Sequence, residues 1–232
     1  HLFGFGVTLT EQIRSFRAER ARLLRNGEGP RKVLGGGQLV VHILPFAAFT
    51  SPLQIDLAQV HKHHAQFPVI GNLGMSPRIN FDGVITTSGG ADDKGYTQVF
   101  RNGIVEATLG DLIFQNQHGH PCIAGMKLER ELVEALGRYI EGLRLLDVPA
   151  PLGVAVTLQG ASSAIYAVEQ HTFPRRVLDR DLFELPICVI ENYGAGPDYI
   201  RAMRPAFDAL WNAVGYVRDQ YFNDAGEWVG QL

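Results

Sequence analysis

The spacing of apolar and polar positions divides the chain into helical and extended runs, and the clearest extended signal lies between Phe81 and Leu109. There Phe81–Thr87, Tyr96–Arg101 and Ile104–Leu109 read as strands, joined by the polar loop Ser88–Gly95 and by Asn102-Gly103. An Asn-Gly pair between strand-like runs predicts a two-residue type I′ turn, which needs positive φ at both positions. Three consecutive strands with short links form an antiparallel meander. Alternation puts Tyr96, Gln98 and Phe100 on one side of the middle strand and Thr97, Val99 and Arg101 on the other.

Helical spacing appears in three further places. Thr8 and Glu11 have the spacing of a capping box, and the helix Leu9–Arg25 that follows stops at Asn26-Gly27. Its apolar residues are Leu9, Ile13, Phe16, Leu23 and Leu24. Lys127–Asp147 is the strongest amphipathic helix, and its carboxylates Glu129, Glu131, Glu134 and Glu141 read as its wet face. Asp198–Gly215 is helical with Pro205 inside it, which predicts a kink or a break. A short helix starts near Asp56, and strands occupy Gln38–Leu44, Leu152–Leu158, Ala164–Val168 and Leu185–Glu191. This order predicts an α+β fold, with a largely antiparallel sheet and helices packed mainly on one face. We read residues 1–232 as a single domain with helix 9–25 as its N-terminal lead-in.

Composition narrows the class. The chain is 46% hydrophobic and 19% charged, enough to bury a core and unlike a disordered segment. A net charge of −3 gives no whole-chain electrostatic case for binding nucleic acid or a membrane surface. The apolar runs are strand-sized, far short of a membrane span. Two distant cysteines, Cys122 and Cys188, suggest no disulfide framework and fit a reducing, cytoplasmic setting. The first residues, HLFGFG, lack a Met and a leader pattern, and read as the interior of a longer chain of which this is the C-terminal part.

The candidate chemistry is sparse. From Glu11 to Lys32 there are seven basic and three acidic residues. Arg14, Arg17 and Arg20 in that stretch are the candidates for a contact with nucleic-acid phosphates or with a neighbouring domain, weighed against a solvated helix face. Gly35-Gly36-Gly37 precedes a strand and lacks the features of a phosphate cradle. His61 and His64 would share a helix face. His118, His120 and Cys122, at i, i+2, i+4, would share one face of an extended segment, with chemistries that suit zinc. No second ligand pair has matching spacing, so a polar surface loop is the favoured reading. The run Gly160-Ala161-Ser162-Ser163 lacks the flanks of a nucleophile elbow. No complete catalytic set emerges, and neither a cofactor nor a metal is expected.

The runs EQIRSFRAERARLLRNGE, QLVVHILPFAAF, NFDGVITT with GYTQVFRNGIVEA, and RPAFDALWNAVGY are together similar to a known group. They resemble the C-terminal region of bacterial proteins that begin with an Alba-type, Schlafen-like nucleic-acid-binding domain. The resemblance runs along most of the chain but includes no catalytic signature. It implies a non-enzymatic sensing or oligomerising module, partnered by that N-terminal domain and by further copies of itself, in phage defence or transcriptional control. Nucleic acid would then be bound through the N-terminal domain. The competing expectation is a small-ligand-binding or metal-dependent hydrolytic domain under the Ser88–Gly95 loop, using His118, His120, Cys122, Asp92 and Asp93.

Overall fold

The structure is a computed structural model and describes residues 2–72, 75–88, 94–168 and 176–230. The first helix, α1 (Leu2–Arg25), is followed by strand β1 (Gln38–Pro45), the short helices α2 (Ala47–Thr50) and α3 (Leu57–Lys62), and strand β2 (Ser76–Ile79). Strands β3 (Gly83–Thr87), β4 (Gly95–Phe100) and β5 (Val105–Leu109) come next. The small strands β6 (Phe114–Gln115) and β7 (Pro121–Ala124) lead into the long helix α4 (Gly125–Leu145). Strands β8 (Leu152–Gln159), β9 (Ile165–Ala167), β10 (Leu182–Glu184) and β11 (Cys188–Ile190) then precede helices α5 (Gly196–Ala202) and α6 (Arg204–Ala213). The fold is α+β.

The main sheet runs β10-β8-β1-β5-β4-β3-β2, with β11 also paired to β8, and all of its pairings are antiparallel. β1 is apolar on both faces apart from His42, as suits a strand at the centre of the sheet, between β8 and β5. The expected meander is present, extended by β2, whose residues read in sequence as a glycine- and proline-punctuated lead-in. The expected strand Leu185–Glu191 is divided. Glu184 lies opposite Thr157 and Cys188 opposite Val154, so one extra residue is accommodated near Pro186, as in a β-bulge.

The Asn102-Gly103 turn differs from expectation. Gly103 has φ +80, whereas Asn102 is not among the residues with positive φ. The Gly103 amide donates to the Phe100 carbonyl and the Phe100 amide to the Ile104 carbonyl. This is the three-residue hairpin loop, a type I turn closed by a glycine bulge, which needs positive φ at one residue only. The helix around Pro205 breaks. α5 ends at Ala202 and α6 starts at Arg204, leaving Pro205 in a first-turn position where its missing N–H has no helical partner to lose.

α4, α5 and α6 cover one face of the sheet, over a core that includes Leu39, Val41, Val154, Leu136, Tyr139 and Trp211. α1 and α2 cover the other face, where Ile13, Leu44, Ile104 and Ala155 meet, beside Leu24, Val40, Ile85 and Tyr96. The first helix is therefore part of the core, beyond the lead-in role expected of it. Among the described residues no helix is long and apolar enough to cross a membrane.

Gly83 marks the tightest backbone approach in the meander. Its φ is +156, and a Cβ there would lie 2.0 Å from the Val99 carbonyl oxygen. Gly83→Ala should lower stability by about 2–3 kcal/mol. Urea unfolding of the variant beside the parent checks this, and equal midpoints would contradict the assigned packing.

Candidate functional site: two buried polar clusters

The face under α1 carries a row of polar side chains at the level where Gln98, Glu106 and His42 lie opposite one another on β4, β5 and β1. Strand alternation sends each of them toward α1, and α1 supplies arginines to meet them. Ile13, Arg17, Arg20 and Leu24 follow one another at helical spacing, so the two arginines share the helix's apolar stripe.

Glu106 is the hub. Its Oε2 accepts from Arg20 Nε at 2.7 Å and from His42 Nε2 at 2.9 Å. Its Oε1 accepts from Arg20 Nη2 at 2.7 Å and from the Tyr96 hydroxyl at 2.6 Å. Burial alone would push the carboxyl up, but hydrogen bonds from Arg20 and His42 outweigh it and hold Glu106 at about 2. Burial and then the Glu106 charge push the Tyr96 phenol far above its ordinary value. With Nε2 facing Glu106, the other His42 nitrogen, Nδ1, is buried with no partner among the described residues, and the ring packs edge-on against Phe16.

Arg17 lies beside this hub and is itself buried. It donates to Thr157 Oγ1 at 2.9 Å, to the Leu185 carbonyl at 2.7 Å and to the Val156 carbonyl. Glu184 stands 3.9 Å from its Nε. Arg14 is exposed. Of the three arginines expected to meet nucleic acid or another domain, Arg17 and Arg20 thus turn inward onto this domain's own sheet. The signal for this was in the stripe itself: an arginine four residues after Ile13 and another four before Leu24 fall on the face that must be buried.

The opposite face holds a second cluster around Glu129. The expectation of a wet face fails for this residue, because it is fully buried on α4, three residues before Leu132 and seven before Leu136. Its Oε1 accepts from Trp211 Nε1 at 2.6 Å and from the Tyr166 hydroxyl at 3.2 Å, while Oε2 accepts from Trp228 Nε1 at 3.3 Å. Asp219 adjoins it. Burial first, and then the Asp219 charge, raise the Glu129 carboxyl well above the usual range, and burial also raises Asp219. The Glu129 and Asp219 carboxyls are hydrogen-bond partners, and a proton kept on Glu129 is the one that the Asp219 carboxylate accepts. Asp219 Oδ1 accepts from the Tyr221 amide, so this cluster ties the C-terminal segment to α4.

The zinc-like triplet does not assemble. His118 is exposed in the turn between β6 and β7, where the amides of His118 and His120 both donate to Asn116 Oδ1. Cys122 lies buried on β7 opposite Phe114. The segment is a hairpin turn, so the three residues do not share an extended face. His61 and His64 lie with ring centroids 6.0 Å apart, and His64 Nδ1 is engaged with the His61 carbonyl at 2.8 Å. No group of three or more metal-ligating side chains occurs among the described residues. Asp92 and Asp93 lie outside the described residues.

The carboxylates at the centre of the two clusters, Glu106 and Glu129, are fully buried, and the clusters fix elements in place. They also respond to pH in opposite senses. Glu106 is held below its ordinary 4.5, so its contribution is complete above that value and is lost as pH falls toward 2. The shift corresponds to about 3 kcal/mol. Glu106→Gln should therefore destabilise by about 3 kcal/mol at pH 7, with the difference shrinking below pH ~4, as read from urea midpoints across pH. Glu129 is held above the ordinary range, so its contribution is complete below the ordinary 4.5 and is lost as pH rises from there through the raised value of about 8. Glu129→Gln should flatten the fall in stability between the ordinary value of 4.5 and the raised value of about 8, and an unchanged slope across that range would contradict the shared proton. No protein-family model and no curated protein matches this chain.

Proposed function

We propose that this domain is a non-enzymatic sensing and assembly module of a longer cytoplasmic protein, whose N-terminal part binds nucleic acid in phage defence or transcriptional control. The observation that supports this most is the welding of α1 to the sheet. Arg17 reaches the β8 and β10 region while Arg20 reaches β5, so α1 and the sheet move as one body. A domain joined through such a helix transmits its own position and partners to whatever precedes it. Arg17 and Arg20, two of the three arginines that would have faced nucleic acid, are used inside the fold, which favours binding through another domain.

A second reading, a small-ligand-binding domain, draws on a cleft of about 220 Å³ between α4 and the segment before β2, lined by Pro68, Val69, Gly71, Glu131, Glu134 and Arg138. Its volume is below the ~300 Å³ at which ligand pockets usually begin. A metabolite panel that shifts the melting temperature in the parent but not in Glu134→Gln would favour this reading.

The module reading is tested on the longer protein with and without this region, by light scattering after size exclusion and by nucleic-acid binding. We expect removal to lower the number of chains per particle or to uncouple binding from its regulation. An unchanged mass per particle together with unchanged activity would refute it.

A further inference from the structure

β2 ends the main sheet, and among the described residues no strand lies beyond it. The hydrogen-bonding direction of each of its residues follows from the register. The Asn80 amide donates to the Gly83 carbonyl, so Asn80 and Gly83 are a bonded pair across the turn between β2 and β3. Antiparallel pairing alternates bonded and unbonded pairs. Arg78 with Ile85 and Ser76 with Thr87 are then the bonded pairs, and Pro77 with Thr86 and Ile79 with Val84 the unbonded ones. The main-chain groups of Pro77 and Ile79 therefore point away from the sheet. Pro77 has no N–H to present there, which explains how a proline is accommodated in this strand. Ile79 presents both a donor and an acceptor.

The side chains along this edge are unusual for a protected one. Ile79 is 51% exposed, and Phe81, at the tip of the turn, is 91% exposed. Arg78 and Asp82 flank them and are also exposed. Short strands, prolines and charges guard an edge against pairing, and β2 has all three. A phenyl ring almost wholly in water beside a free isoleucine is not explained by that guard.

We infer that the β2 edge pairs antiparallel with the β2 edge of a second copy of this chain, about a twofold axis at Ile79. This rests on the assembly reading above and names the surface and the partner. In that register each Ile79 amide donates to the other copy's Ile79 carbonyl, forming a bonded pair that makes no demand on Pro77. The two isoleucines lie side by side on the face of the sheet that α4 covers, and each Phe81 comes beside the other copy's Pro77. Arg78 falls opposite the second copy's Asn80 and one step from its Asp82, so unlike charges approach. The neighbouring register, with its axis at Arg78, would set two arginines directly opposite each other and is disfavoured by the same rule. Four strand residues per copy make a small interface, well under the standard ~1,600 Å². The dimer is accordingly weak and assembles at high local concentration, as when copies are gathered along one nucleic acid.

The test uses sedimentation of the full chain over a concentration series, together with thiol cross-linking. Ile79→Cys should be captured as a dimer by a short bis-maleimide, since the native Cys122 and Cys188 are both buried. Ile79→Lys should weaken association at least ~10-fold by placing two charges at the axis. Arg78→Asp and Asp82→Arg should each weaken it, and the double exchange should restore it. Association that ignores Ile79→Lys would overturn the edge while leaving an assembling module. Absence of any dimer up to ~0.1 mM, a range suited to an interface this small, together with no cross-link at position 79, would also overturn the pairing. That result would not touch the test on the longer protein, whose readout is mass and binding with the region removed. A parent-like melting temperature for each variant keeps loss of folding apart from loss of pairing.

Discussion

Burying a carboxylate inside a sheet is tolerable only if its charge is matched and all its acceptor sites are filled. Glu106 meets that condition with four donors from three residues, two of them on one guanidinium. The condition has consequences well beyond the residue. It requires α1 to lie over β5 at one height and one rotation, because a bidentate arginine has little angular freedom. Once Arg20 is placed, Arg17 is less than one turn away on the same stripe and reaches the β8 carbonyl of Val156. The apolar contacts of Ile13 and Leu24 with the sheet supply attraction, while the polar contacts select a single docking geometry.

The far face uses the opposite device. There a carboxyl is kept neutral by burial and by a second carboxyl, and indole and phenol donors surround it. One sheet is thus held between an ionised acid and a protonated one. In the folded protein both are satisfied only over an intermediate pH range, above the value of about 2 at which Glu106 ionises and below the raised value of Glu129.

Much of the architecture could be read from local pattern. The meander, the central apolar strand, the long helix and the interruption at Pro205 all follow from periodicity and breakers. The turn at Asn102-Gly103 was recognisable as a hairpin, but its loop type depends on where the flanking strands end, which residue identity does not settle. β2 escaped because four residues that include a proline carry little alternation of their own, and it forms by pairing with β3. The polar clusters were harder still. Arginine and glutamate on a helix ordinarily face water, so Arg17, Arg20 and Glu129 read as surface until partners distant in sequence are brought opposite them. Their places on the apolar stripes were visible. The partners that make those places habitable were not.

The placing of Arg17 and Arg20 has a mechanical meaning. In the order of the sheet, β1 lies between β8 and β5, and the two arginines grip the strands on either side of it. α1 is then a splint laid across three strands. β1 cannot separate from either neighbour without first lifting the helix, and the helix cannot lift without exposing Glu106. The centre of the sheet is thereby linked to the first helix in one cooperative unit, in which amide exchange from β1 requires an opening far larger than the strand itself.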